Sequence, residues 1–354
     1  PAARTHQPNR PLGAPPPPTH PGSGERRRPP MSQLAGEGVR APPPGGVVDP
    51  DPADEDELLR VHTPDYVGRL KKLSEEGGGA LTADTHVSEH TWDSALLAAG
   101  GVTDGIDRVL SGKDEASFVV SRPGGHHAFP DHAHGFCFTN NTAVALKHAQ
   151  EVHGIDRVLL WDWDAHHFDG TESVFYDDPS VLTMSTHQTG KTLFPGTGYS
   201  DEIGEGDGEG YNINVPLLPK TGDEGYERIV EEVFKPVARQ YDPDLLFVEA
   251  GQDNHFTDPI TDLGVTAQGY ASLMDAAVET AEELCDGRIV ASLAGGYGIE
   301  GGLPYTNLAV IASLAGMDTS NIREPATYEP PADGPGADRA VGKVKQNLGD
   351  YWDF

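Results

Sequence analysis

The sequence is poor in cysteine, in lysine and in long apolar runs, and each shortage excludes a class of protein. Two cysteines, Cys137 and Cys285, cannot build a disulfide framework, so we expect a reducing, cytoplasmic location. Nine lysines stand against 56 acidic residues, and the net charge of -31 disfavours direct binding to nucleic acid or to an anionic membrane. No apolar run is long enough to span a bilayer, and no stretch has the pattern of a secretory signal.

The strong negative charge itself has two interpretations. Dense carboxylates stay hydrated and repel one another less in concentrated salt, so this composition is typical of a halophilic protein. An acidic surface could also attract a cationic substrate. Salt adaptation is the plainer interpretation, and we adopt it.

Residues 1–46 differ in composition from the rest of the chain. They contain 13 of the 30 prolines and carry a charge of +4, whereas the remainder carries -35. The four prolines at positions 15–18 exclude both helix and strand locally. We therefore predict a disordered or aberrant N-terminal segment, residues 1–46, followed by a folded domain, residues 47–354. The segment is either a disordered tail or a stretch translated in the wrong frame, and we expect it to add no strand to the sheet.

Strands alternate with helices from residue 54 onward. Short apolar runs predict buried strands at residues 117–120, 158–161, 181–184, 245–248 and 289–293. Apolar residues at helical spacing predict helices at residues 54–74 (with a break at Thr63-Pro64), 92–111, 139–152, 223–241, 266–284 and 304–315. This alternation predicts an α/β protein with a single open, mostly parallel sheet and helices on both faces.

Polar side chains are massed where the strand at 158–161 ends. Asp164 and His166 stand two residues apart, so on an extended backbone they point the same way and could bind a metal such as Zn²⁺. An isolated Asp-x-His pair is more often a capped turn. Here, however, loops after three other predicted strands should meet at the same sheet edge, and they carry His126-His127, Asp253 and Tyr297. Asp253 would complete three ligands and leave a position open for water, as a catalytic zinc site requires.

Seven short motifs give the chain a family resemblance. They are RPGGHHA, GFCFTNN, WDWDAHHFDG, STH, LFPGTG, AGQDNHFTDP and AGGYG, in this order. Together they resemble the histone deacetylase family in the broad sense, over residues 54–354, and its class II and bacterial or archaeal members most closely. The resemblance implies the arginase/deacetylase fold, a zinc-dependent amidohydrolase, and a deacetylase catalytic domain at residues 47–354.

The resemblance also implies a role for each matching residue. The metal ligands would be Asp164, His166 and Asp253, holding Zn²⁺ or, alternatively, Fe²⁺. The catalytic residues would be His126 and His127, oriented by Asp162 and Asp169 respectively, with Tyr297 as the oxyanion donor. The walls of a substrate tunnel would be Gly135, Phe136 and Phe194. A structural K⁺ would bind at Asp162, Ser185 and the backbone of Asp164 and His166.

The expected reaction is removal of acetyl groups from acetyl-lysine in proteins, with an acetylated polyamine or another small acylamine as the alternative substrate. A dinuclear ureohydrolase of the same fold is a weaker alternative, because Phe168 and His255 stand where a second metal would need carboxylates. A non-catalytic acyl-lysine-binding module would be favoured if Tyr297 or either adjacent histidine were missing, and all three are present. Substrate, physiological metal and oligomeric state are left open by the sequence.

Overall fold

A computed structural model of the 354-residue chain describes residues 3–6, 46–299, 301–327 and 336–354. Its strands are β1 (Ala3–His6), β2 (Gly46–Val48), β3 (Gly78–Ala80), β4 (His86–Ser88), β5 (Ala116–Val119), β6 (Val158–Asp162), β7 (Val181–Gln188), β8 (Asn212–Leu217), β9 (Leu245–Ala250) and β10 (Ile289–Leu293). Its α-helices are α1 (Glu55–Leu58), α2 (Pro64–Glu75), α3 (Thr91–Leu110), α4 (Asn141–His153), α5 (Asp169–Phe175), α6 (Asp223–Ile229), α7 (Lys235–Tyr241), α8 (Ala267–Leu284), α9 (Leu303–Leu314) and α10 (Gly336–Leu348).

Eight strands form one sheet in the order β2-β1-β5-β10-β9-β6-β7-β8, and every neighbouring pair in it is parallel. Strands β3 and β4 make a separate antiparallel pair. Parallel pairing brings the carboxyl ends of all eight strands to the same edge, which we call the active edge. The prediction of a single, mostly parallel α/β sheet is confirmed.

The buried strands have apolar side chains on both faces because helices cover both faces. In β6, Leu159 and Trp161 pack into one apolar cluster with residues of α8 and α9. Val158 and Leu160 pack into another, with residues of α3 and α4. Successive residues of a strand point to opposite faces, so an unbroken apolar run is what a doubly covered strand needs.

The prediction that residues 1–46 add no strand is wrong for Ala3–His6. Strand β1 lies inside the sheet, between β2 and β5, and pairs with both. A four-residue strand is too short to show a period, and the two neighbouring strands supply its backbone partners. Residues 7–45 lie outside the described residues, so the predicted disorder or aberrant origin of this segment stays a prediction.

Other elements depart from the sequence analysis in detail. The helix predicted at residues 223–241 is α6 and α7 joined by a π-helical turn, Val230–Phe234. Pro236 follows this turn and has no N–H to donate, which interrupts a regular α-helical ladder. Strands β2, β3, β4 and β8 and helices α5 and α10 were not predicted. No described helix is both long and apolar enough to cross a bilayer.

Candidate metal centre and active site

The candidate site residues come together at the active edge because each follows the carboxyl end of a parallel strand. Asp162 ends β6, and Asp164 and His166 lie in the loop after it. The loop after β5 carries His126 and His127, the loop after β9 carries Asp253, and the loop after β10 carries Tyr297.

Asp164, His166 and Asp253 form a buried cluster. The Nδ1 atom of His166 lies 3.0 Å from Asp164 Oδ1 and 3.0 Å from Asp253 Oδ2. Backbone groups hold the two carboxylates in place. The N–H of Ala165 donates to Asp253 Oδ1 at 2.8 Å, and the N–H of Gly295 donates to Asp164 Oδ2 at 2.5 Å. A Cβ at Gly295 would overlap both carboxylates, so this approach requires glycine.

The charge of this cluster fits a divalent cation. In the part of the chain that the structure describes, both carboxylates have His166 as their ion-pair partner. Burial lowers the pKa of His166, but its bonds to Asp164 and Asp253 outweigh burial and raise that pKa to about 10. Burial and the charge of Asp164 raise the pKa of Asp253. Two buried carboxylates need a compensating positive charge, and two oxygens with one imidazole nitrogen are a ligand set that Zn²⁺ accepts.

Two histidine–aspartate pairs lie beside this cluster. His126 Nδ1 is 2.8 Å from Asp162 Oδ2, and His127 Nδ1 is 2.6 Å from Asp169 Oδ1. The two imidazole rings are 4.1 Å apart between centroids. Since a carboxylate accepts, each Nδ1 carries the proton, and Nε2 is left as the nitrogen that can exchange one.

The two adjacent histidines have their pKa values displaced in opposite directions. Burial lowers the pKa of His126, but the charges of Asp164 and Asp162 outweigh burial and raise it to about 10. Burial and the neighbouring His126 lower the pKa of His127 to about 4, against the opposing effect of Asp169. A cation at Asp164 would cancel part of the negative charge that raises the pKa of His126.

Phe194 and Gly135 flank the second histidine. Phe194 is 39% exposed, and its ring lies 5.2 Å from the ring of His127 between centroids. Gly135 is buried with φ of +50°, and a Cβ there would overlap the His127 ring. Phe136 is half-buried, and its N–H donates to Thr85 Oγ1 at 3.1 Å.

Tyr297 and Ser185 are placed less directly by the geometry. Tyr297 is half-buried, lies two residues after Gly295, and donates its backbone N–H to Asp258 Oδ2 at 2.8 Å. Ser185 is buried on β7 directly across from Asp162 of β6, and its Oγ is 2.8 Å from His187 Nδ1. The catalytic, tunnel and cation roles of these residues stay predictions.

Two residues that the sequence analysis did not assign belong to this site. His134 Nδ1 lies 2.9 Å from Asp169 Oδ2, so His134 and His127 share one carboxylate. In the sequence, the feature that could have identified His134 is its position immediately before Gly135. Glu249 is buried on β9 across from Asp162, and burial, followed by the charge of Asp162, raises its pKa to about 8. For Glu249, the feature that could have identified it is a glutamate inside the apolar run of β9.

The positions that would hold a second active-site metal carry no carboxylate. Phe168 is fully buried in the apolar cluster beneath α3 and α4. His255 is buried, and its Nδ1 is 2.8 Å from Thr257 Oγ1. This arrangement gives no support to a dinuclear ureohydrolase.

Comparisons with known proteins agree with one another. The model of the histone deacetylase domain matches residues 20–313. A probable deacetylase of Archaeoglobus fulgidus is 47% identical over 342 residues, which cover 95% of this chain and 94% of that protein. A histone deacetylase-like amidohydrolase of Pseudomonas aeruginosa is 38% identical, over 77% of this chain and 71% of its own length. A crystal structure of the HDA15 HD domain superposes with a TM-score of 0.86 and 31% identity, over 99% of this chain and 95% of that one.

The family match begins at residue 20, inside residues 1–46, whose composition differs from that of the rest of the chain. The domain boundary between residues 46 and 47 therefore stays a prediction.

Proposed function

Because the chain belongs to the histone deacetylase domain family and is a deacetylase-type amidohydrolase, we propose that it hydrolyses acetyl-lysine in proteins with Zn²⁺ held by Asp164, His166 and Asp253. One observation carries the proposal: a buried cluster of two carboxylates and one imidazole lies next to two histidine–aspartate pairs. This combination supplies a place for a Lewis acid and two positioned proton carriers. When bound, Zn²⁺ lowers the pKa of a water and polarises the amide carbonyl.

The two histidines hold and move protons. One takes the proton of the attacking water, and a histidine then protonates the leaving amine of lysine at its nitrogen. Asp162 fixes the tautomer of His126, and Asp169 does the same for His127, because each carboxylate accepts from Nδ1. The buried setting strengthens both interactions, since water does not compete for the carboxylates.

Tyr297 and the tunnel residues act on the substrate. The Tyr297 hydroxyl donates a hydrogen bond to the oxygen that becomes negative as water adds to the carbonyl. Phe194, beside His127, together with Phe136 and the backbone at Gly135, lines the path of the four-methylene stem of acyl-lysine. An apolar path suits such a stem and keeps bulk water from the reacting amide.

A monovalent cation supports the same edge. Asp162, Ser185 and the backbone carbonyls of Asp164 and His166 would bind K⁺, which would balance part of the buried charge of Asp162. The facing positions of Asp162 and Ser185 on β6 and β7 support this assignment. Potassium and an acidic surface both suit a halophilic, cytoplasmic protein that works in concentrated KCl.

The test is turnover of two substrates by the zinc-loaded full chain in concentrated KCl. An acetyl-lysine peptide should be hydrolysed with higher kcat/KM than N-acetylputrescine. The reverse order would refute protein lysine as the substrate and favour a small acylamine. His127→Ala should remove turnover of both substrates, whereas His90→Ala, an exposed histidine next to Glu89, is the matched control and should retain it. No turnover of either substrate by the zinc-loaded or the iron-loaded chain would refute acetyl-lysine as the substrate and leave another small acylamine as the remaining candidate.

A further inference from the structure

A second cluster with metal-ligand chemistry lies between helices α3 and α4. Asp107 of α3 has its Oδ1 atom 2.7 Å from His148 Nε2 and 2.7 Å from His153 Nε2, both of α4. All the candidate ligand atoms lie within 4.8 Å of one another. Asp107 and His153 stand in the last turns of their helices, which lead into β5 and β6. The cluster is therefore at the amino-end edge of the sheet, opposite the active edge.

We propose that Asp107, His148 and His153 bind a divalent transition-metal ion of the Zn²⁺ class, at a site separate from the active site. Two imidazole nitrogens and one carboxylate oxygen are common zinc ligands, and water can fill the fourth tetrahedral position. Bonds near 2 Å place tetrahedral ligands roughly 3.3 Å apart. The contacts would therefore have to open by roughly 0.6 Å from 2.7 Å, a shift within reach of side-chain rotation.

The unused nitrogen of His148 is an independent observation in favour of this site. A carboxylate accepts, so Nε2 of His148 carries a proton in the hydrogen-bonded arrangement, and Nδ1 is the ring nitrogen left over. That Nδ1 is buried without a hydrogen-bond partner, and Glu57 Oε1 is 3.8 Å away. A metal bound through Nε2 would leave the ring proton on Nδ1, which could then donate to Glu57. Metal-ligating histidines ordinarily donate their other N–H to such a carboxylate.

The alternative is a hydrogen-bonded clamp between α3 and α4 that never binds metal. The two cases differ in what they require of Asp107. A clamp needs only an acceptor oxygen, which Asp107→Asn retains, whereas a metal site needs the negative charge, which this variant removes. Glu57→Gln applies the same test to the contact between Glu57 and His148. The glutamine oxygen can still accept from the N–H of Asp54, as Glu57 does at 2.8 Å, but the variant removes the negative charge that a metal-ligating histidine would donate to.

The experiment counts zinc bound to the full chain. Protein stripped with a chelator is dialysed against buffered Zn²⁺, and bound zinc is measured by mass spectrometry. We expect two equivalents in the unmodified chain, one in Asp253→Asn, and one in the double variant His148→Ala/His153→Ala. Glu57→Gln should weaken the second equivalent by about 10- to 100-fold, the usual effect of losing an outer-sphere partner. His90→Ala, an exposed histidine beside Glu89, is the matched control and should keep both.

Each outcome tests the second metal site independently of the function proposed for the active edge. One equivalent in the unmodified chain, lost in Asp253→Asn, would overturn the second site and leave the first intact. A second equivalent that survives in the double variant would also overturn it. If the double variant does not fold, Asp107→Asn replaces it, because the neutral clamp is kept: loss of the second equivalent supports the proposal, and its retention overturns it.

Discussion

Gly135 is the position where a single added methyl group should disturb catalysis without replacing a catalytic side chain. Its φ is +50°, a region that costs an L-residue about 1–2 kcal/mol, and a Cβ there would overlap the ring of His127. Because Asp169 holds that ring at Nδ1 by a 2.6 Å contact, the ring cannot move away without losing its carboxylate partner. In Gly135→Ala we expect a displacement of the order of 1 Å, which typically costs about 100-fold in rate.

The chain provides a matched control at Gly154. This glycine follows α4, has φ of +68°, and a Cβ added there would have nothing within 4 Å. Gly154→Ala should therefore lose about 1–2 kcal/mol in free energy of unfolding, as the backbone term of Gly135→Ala does, but keep its activity. The assay is kcat/KM on an acetyl-lysine peptide together with urea unfolding of both variants. Equal activity of the two variants would refute the contact between Gly135 and His127 as a positioning device.

Three further predictions use the same assays. Tyr297→Phe removes one hydroxyl donor and should lower kcat by roughly 100-fold or more while zinc content and unfolding free energy stay unchanged; normal kcat would show that Tyr297 is not the donor. Asp253→Asn should abolish turnover together with the active-site zinc equivalent, and turnover without that zinc would contradict the ligand assignment. Burial lowers the pKa of His62 from 6.5 to about 4, so the unfolded chain binds the proton first as pH falls. Stability from this group is complete above pH 6.5 and should decline by about 3 kcal/mol towards pH 4 in urea unfolding, a decline that His62→Gln should lack.

Much of the fold and of the active edge could be predicted from the sequence because the signals were local and repeated. The run Val158–Asp162 is apolar on both faces, which indicates a covered parallel strand. Parallel strands bring their following loops to one edge, so residues as far apart in the chain as Asp164 and Asp253 could be expected to meet, and they do. The prediction needed the order of strands along the chain but not their order in the sheet.

What could not be predicted depends on contacts between elements. Ala3–His6 is a strand because β2 and β5 lie on either side of it. The sequence of these four residues does not indicate that the two strands lie there. His148 and His153 are five residues apart, a spacing that does not place two side chains on one face of a continuous helix. They meet at Asp107 because α4 ends at His153 and α3 packs alongside.

The active edge also shows why the site needs so large an apolar support. Asp162, Asp164, Asp253 and Glu249 are all buried. Among the described residues, the ion-pair partners of the three aspartates are histidines. Burial alone would push each of these carboxyl groups towards its neutral form, and a neutral carboxyl is a poor metal ligand and a poor orienting group for histidine. Folding must therefore hold the acidic groups together against their mutual repulsion, and the sheet packed on both faces provides that free energy. Cations bound at this edge would offset part of the repulsion between these acidic groups, so the stability of the fold and the occupancy of the site are coupled.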